Sequence, residues 1–168
     1  MDPEVDPDVR STVRLLAQSP LLSQLPPAGL GVIASVGDSR RLRPGEVLFR
    51  QGDRSDGGFV VLSGSLAIGR EGDERPVTAL GPGSLVGQVA LFVRMQRPAT
   101  AIARELTKVI RISPTLMLRV LGEHPDAAGT MRRTIARDLE ALTVGLDRVH
   151  RMLGRIGSDE DATVPASP

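Results

Sequence analysis

The residues best suited to chemistry lie in Gly87-Gln88-Val89-Ala90-Leu91 and, a few positions on, in Arg97-Pro98-Ala99-Thr100. A glycine that opens a short helical turn leaves backbone N–H groups facing an anion. An arginine following it brings a planar fork of five donors suited to phosphate oxygens. Together they spell an anion cradle. A glycine, a turn and an arginine this close together occur by chance in many chains, so the surrounding elements must decide. Catalytic chemistry has less to draw on. His124 and His150, the only two histidines, fall in a helical region beyond the strands, where they cannot ligate a metal or haem inside a β fold. No nucleophile, base and orienting group share a recognisable spacing. The expectation is a binding protein, without a metal and not an enzyme.

The chain has 168 residues, enough for one domain with a core that needs no staple, and no cysteine, so the fold must stand on packing. Its net charge of +1 argues against a field that holds DNA. No apolar run approaches the roughly 20 residues of a membrane span. The start Met1-Asp2-Pro3-Glu4 is acidic where a signal peptide would be basic. A cytoplasmic location without membrane contact is expected.

The elements that must position the cradle follow in order. Residues 1–8 are polar, proline-punctuated and expected to be disordered. Val13, Leu15, Leu16 and Leu22 then mark a short amphipathic lead-in. Leu25-Pro26-Pro27 starts a second short helix with Leu30, Ile33 and Val36 on one face and Gly37 as its stop. From Ser39 to Ile112 the pattern changes to brief β-rich runs: Val47–Phe49, Phe59–Leu62, Ser65–Ile68, Val77–Leu80, Ala99–Ala103 and Val109–Ile112. Turn signals between them, such as Pro44-Gly45, Gly52-Asp53, Ser63-Gly64 and Gly81-Pro82-Gly83, indicate an antiparallel sandwich or barrel. Ser113-Pro114 caps a helix carrying Leu116, Leu118, Val120 and Leu121, closed by Gly122. Pro125 opens a long helix to about Ile156, and residues 157–168 form an acidic, proline-ended tail expected to be disordered. Ile135, Leu139, Leu142, Leu146, Val149, Leu153 and Ile156 alternate by fours and threes. That spacing fits either a coiled-coil dimer seam or one apolar face laid on the β fold; the helix's length favours the seam for its distal half. The domain expectation is therefore 1–8 as a tail, 9–156 as one unit and 157–168 as a second tail.

Four blocks in this order carry a resemblance: Leu42-Arg43-Pro44-Gly45-Glu46-Val47-Leu48-Phe49-Arg50-Gln51-Gly52-Asp53, Phe59-Val60-Val61-Leu62-Ser63-Gly64, Leu80-Gly81-Pro82-Gly83, and Gly87–Leu91 with Arg97–Thr100. Residues 15–142 resemble the cyclic nucleotide-binding domain family, of the catabolite-activator-like sensor kind. The resemblance implies a mainly β fold with flanking helices: an eight-stranded antiparallel jelly-roll β-barrel, short N-terminal helices and a long C-terminal helix serving as lid and dimer element. It implies that Arg97 pairs with the cyclic phosphate and that Val86, Gly87, Gln88, Val89, Ala90, Pro98, Ala99 and Thr100 make up the phosphate-binding cassette. Met131, Thr134 and Ile135 then fall where the lid covers the base.

Gln88 departs from the family's glutamate, which accepts the ribose 2′-hydroxyl. A hydrogen bond to a charged group contributes about 1.5–3 kcal/mol and a neutral one about 0.5–1.5, so the exchange weakens affinity roughly tenfold. Relatives that choose cyclic GMP tend to carry serine or threonine after the arginine. Here Pro98 offers neither hydroxyl nor N–H, which favours cyclic AMP with cyclic GMP as the weaker ligand. Only a short tail follows the lid helix, so direct DNA binding through a helix-turn-helix is not expected. Two functions stay open: a stand-alone receptor that signals to a downstream protein through lid movement, and a degenerate fold that serves as a ligand-free dimeric scaffold.

Overall fold

A computed structural model of the chain describes residues 7–72, 77–138 and 140. It divides into two compact units, Met1–Thr130 and Met131–Pro168. The first unit opens with α1 (Pro7–Leu16), a 3₁₀ turn at Leu22–Gln24 and α2 (Pro27–Val36). Strands β1 (Asp38–Leu42), β2 (Val47–Phe49), β3 (Gly58–Ser63), β4 (Leu66–Gly69), β5 (Thr78–Leu80) and β6 (Leu85–Val86) follow. After a 3₁₀ turn at Val89–Leu91 come β7 (Thr100–Ala103), β8 (Thr107–Ile112) and α3 (Pro114–Glu123). Residues 125–138 are again helical.

The strands form two antiparallel sheets of four, ordered β1-β8-β3-β6 and β2-β7-β4-β5. Among the described residues no strand of one sheet pairs with a strand of the other. The expected eight strands are there, but as two facing sheets rather than a closed barrel. The two sheets meet through the side chains of one apolar core rather than through a backbone ladder that would close them. Between the sheets lies a core of Leu42, Leu48, Phe59, Val61, Leu66, Val86, Ala101, Ala103 and Val109, with Phe49, Ile68 and Leu80 packed against it. Val60 and Ile110, register partners on β3 and β8, are fully buried too, although strand alternation turns them to the opposite face from Phe59 and Val61. The N-terminal helices explain this. A Cβ at Gly37 would lie 2.6 Å from Ile110 Cδ1, so the glycine that ends α2 lets the chain close down on the sheet. Its φ of −58° shows that close approach, not a left-handed turn, is what calls for glycine there.

Several expectations needed correction. The sequence showed no strand at β1 or β6. β1 is polar and exposed over four of its five residues and holds its place by pairing with β8; β6 has only two residues. Val36, assigned to one face with Leu30 and Ile33, is 56% exposed. α1 begins at Pro7 rather than Val9. α3 runs through Gly122 to Glu123 and ends at His124, because the N–H of His124 reaches the Leu121 carbonyl. The cap was read correctly: the Leu116 N–H donates to Ser113 Oγ at 3.1 Å, with Pro114 at the first helical position. Leu142, Leu146, Val149, Leu153, Ile156 and His150, with the side chain of Leu139, lie outside the described residues.

Candidate anion-binding site

Gly87 leaves β6 with φ +77°, a conformation that strains any residue with a Cβ, and turns the chain into the 3₁₀ turn, closed by Ala90 N–H on the Gly87 carbonyl at 3.1 Å. Leu91 anchors that turn. It is fully buried, and a Cβ at Gly58 would lie 2.7 Å from its Cδ2, so β3 must carry glycine where the turn rests on it.

Arg97 arrives from a loop tied to residues 52–55. Its N–H donates to Asp53 O at 2.7 Å, Gly52 N–H donates to Arg97 O at 2.8 Å, and Ser55 N–H donates to Met95 O at 2.7 Å. Met95 N–H returns to Ser55 Oγ at 2.9 Å, and Arg54 bridges Gln96. Asp53 Oδ2 accepts the Arg50 N–H at 2.9 Å, which with Gly52 at φ +88° fixes the turn that Arg50-Gln51-Gly52-Asp53 foretold.

The guanidinium is 3% exposed. Nη2 donates to the Gly57 carbonyl at 2.7 Å and to Asp56 Oδ1 at 3.3 Å. The group lies over the Phe49 ring at 4.2 Å, with Phe59 at 5.5 Å. Its other flank is the Gly87 backbone: a Cβ there would lie 2.7 Å from Nη1. Burial pulls the Arg97 pKa below its ordinary value, opposed by the charges of Asp56 and Asp53. Among the described residues Nε is buried with no hydrogen-bond partner. A cation removed from water with a donor to spare, beside a backbone that approaches without a side chain, suits an anion.

The other expected site residues are placed as follows. Val86 is buried at the end of β6 and Ala90 inside the turn, while Gln88 and Val89 are half-buried. Pro98 is exposed, and Ala99 and Thr100 are half-buried. Thr100 Oγ1 accepts the Gln51 N–H at 2.9 Å, so its hydroxyl ties the cassette to the turn after β2. The structure thus brings Gly87 and Arg97 together. Met131, Thr134 and Ile135 belong to the second unit, where Met131 is buried and the other two half-buried.

Sequence reasoning missed what holds Arg97: Asp56, Gly57, Phe49 and Phe59. Arg111, also unremarked in the sequence, shares Asp56 with Arg97, its Nη1 lying 3.2 Å from Asp56 Oδ2. One signal was available. The chain has only three aromatic residues, all phenylalanine, and two of them flank this guanidinium.

Residues 39–124 match the family described as cyclic nucleotide-binding domain. This chain belongs to that family. Among its relatives is the cyclic AMP receptor protein of Thermus thermophilus, 30% identical over 132 residues, or 77% of this chain and 61% of that protein. Another is a cAMP-dependent protein kinase regulatory subunit of Emericella nidulans, 32% identical over 119 residues, or 71% of this chain and 28% of that one. The chain thus spans less than two thirds of either relative. A solved structure of a cyclic nucleotide-binding-like protein from Brucella abortus is 33% identical, with a TM-score of 0.60 over 66% of this chain and 97% of that one. Family membership makes the first unit a cyclic nucleotide-binding module. Among the described residues no group of His, Cys, Asp or Glu is placed to hold a metal ion, and no helix is long and apolar enough to cross a membrane.

Proposed function

We propose that the protein is a cyclic nucleotide receptor, not an enzyme, that takes cyclic AMP in preference to cyclic GMP. The observation that carries this reading is the buried Arg97 guanidinium, with Nε unpartnered among the described residues and the Gly87 backbone against Nη1. Pro98 supports the preference, since it has no hydroxyl for a guanine amino group. The relatives named for cyclic AMP point the same way. Calorimetric titration of nucleotide-stripped protein tests it: cyclic AMP is expected to bind more tightly than cyclic GMP, and Gln88→Glu to tighten it about tenfold by restoring a charged acceptor. Absence of binding at millimolar ligand would favour the ligand-free scaffold, and tighter binding of cyclic GMP would overturn the preference.

The output side of this reading rests on the family resemblance and on the apolar spacing after Pro125. Met131, Thr134 and Ile135 cover the base, the helix continues into a homodimer seam, and closure presents a changed surface to a downstream protein in the cytoplasm, without contact to DNA or membrane. A ligand shifts such an equilibrium only by its differential affinity for the closed state. Hydrogen exchange with cyclic AMP should therefore show added protection both at 83–100 and at 131–142, and light scattering should find dimers that Leu142→Glu converts to monomers. Protection confined to 83–100 would remove the lid from the account, and wild-type monomers at tens of micromolar would remove the seam.

A further inference from the structure

Arg111 stands on β8 opposite Asp38 of β1 and Phe59 of β3, one strand away from the cradle, and its side chain is only 27% exposed. Its Nη1 donates to both the main-chain oxygen and Oδ2 of Asp56, each at 3.2 Å. Its Nε is buried without a hydrogen bond, 3.5 Å from Asp38 Oδ2. Asp38 Oδ2 in turn lies 3.9 Å from Arg40 Nε, and Arg40 reaches to 6.0 Å from the Phe59 ring. Arg97, Asp56, Arg111, Asp38 and Arg40 thus form a line of alternating charge. Within that line three guanidinium groups stand against two carboxylates, and Asp53 acts on Arg97 from outside it.

The two bonds that Arg97 Nη2 makes are unequal. The bond to the Gly57 carbonyl is short at 2.7 Å, while the one to Asp56 Oδ1 is long at 3.3 Å. An arriving phosphate competes with the carboxylate, its own chemical like, and not with the carbonyl. The long contact is the one that gives way. When it does, Asp56 needs another counter-ion, or its charge stands beside the phosphate uncompensated. Arg111 already holds the other carboxylate oxygen. Through the Asp56 main-chain oxygen it also fixes the peptide leading to Gly57, whose carbonyl orients Arg97.

We propose that Arg111 is a positioning residue for nucleotide binding: by keeping the Asp56 carboxylate neutralised, it lets Arg97 exchange that carboxylate for a phosphate. This deepens the receptor reading and rests on it. Without Arg111, Asp56 has Arg97 as its remaining partner in the line, and the ligand must displace a carboxylate that has nowhere else to go.

The test uses the full chain, stripped of nucleotide, as wild type, Arg111→Gln, Asp56→Asn and the double variant. Cyclic AMP titration is expected to show about tenfold weaker binding for Arg111→Gln, and recovery to the level of Asp56→Asn alone in the double variant. A merely structural Arg111 would leave the double variant as weak as Arg111→Gln, and that result overturns the proposal, as does unchanged affinity in Arg111→Gln. If Arg111→Gln does not fold, Arg111→Lys keeps the charge, loses the two-pronged grip and should show a smaller loss of the same sign, again relieved by Asp56→Asn. Should wild-type protein bind no cyclic nucleotide, the receptor reading fails by itself. Urea unfolding without ligand then judges the sharing. The coupling between Arg97→Gln and Asp56→Asn must grow in the Arg111→Gln background, and an unchanged coupling refutes it.

Discussion

Arg97→Ala is expected to remove most of the thermal stabilisation that cyclic AMP confers, the largest functional effect of any single change in this chain. Ligand at 100 times its dissociation constant adds about 2.7 kcal/mol to the folded state, which for a domain of this size raises Tm by about 5–10 °C. Truncating one partner of a buried, hydrogen-bonded charge pair costs about 2–5 kcal/mol, so affinity should fall by about 30-fold to several thousandfold and the shift drop to about a third or less at the same ligand concentration. The rest of the site explains why no neighbour substitutes. Phe49 and the Gly87 backbone offer no charge, and Arg111 is committed to Asp56 and Asp38. Thermal melts of both proteins with and without cyclic AMP read this directly. A variant that keeps the full ligand-dependent shift would show that the phosphate is held elsewhere.

Gly57→Ala is expected to be the most destabilising conservative change near the site, at about 3 kcal/mol or more. Gly57 sits at φ +138°, which L side chains rarely adopt, and a Cβ there would collide with the Ile112 carbonyl and lie 3.1 Å from Ser113 Cα. Both neighbours are backbone atoms at the end of β8, next to the cap of α3, so neither can swing aside. Gly45→Ala is the matched control: its φ is +83° but no atom lies within 4 Å of the added methyl, so only backbone strain of about 1–2 kcal/mol is lost. Urea midpoints of the two variants should differ accordingly; equal losses would mean that Gly57 is needed for its dihedral alone. Because the Gly57 carbonyl anchors Arg97, Gly57→Ala should also weaken nucleotide binding, while Gly45→Ala should not.

What the sequence determined by itself is local. Gly45, Gly52, Gly64 and Gly83 were legible as turns because their left-handed φ is a property of the residue. Ser113-Pro114 was legible as a helix start because a cap is settled within a few residues. The Gly87 and Arg97 blocks could be paired as a candidate site from residue type and order, and the structure sets them side by side; the apolar runs marked six of the strands. Tertiary structure decided whatever depends on partners distant in the chain. β1, with the sequence Asp-Ser-Arg-Arg-Leu, has no apolar alternation and becomes a strand through its backbone pairing with β8, about 70 residues away by the register of Asp38 with Arg111. Val36 fits a helical period with Leu30 and Ile33 yet faces solvent, because periodicity states which residues share a face and not how wide a face the neighbouring layer covers. The surroundings of Arg97 show this most clearly. Asp56 and Gly57 stand 41 and 40 residues before it, and only the docking of the 52–55 loop along 95–97 sets their oxygens against its guanidinium. A pattern in sequence can announce a charge, but its counter-ion, its burial and its unpaired donor are set by which backbones pair, and that pairing is a property of the folded sheets.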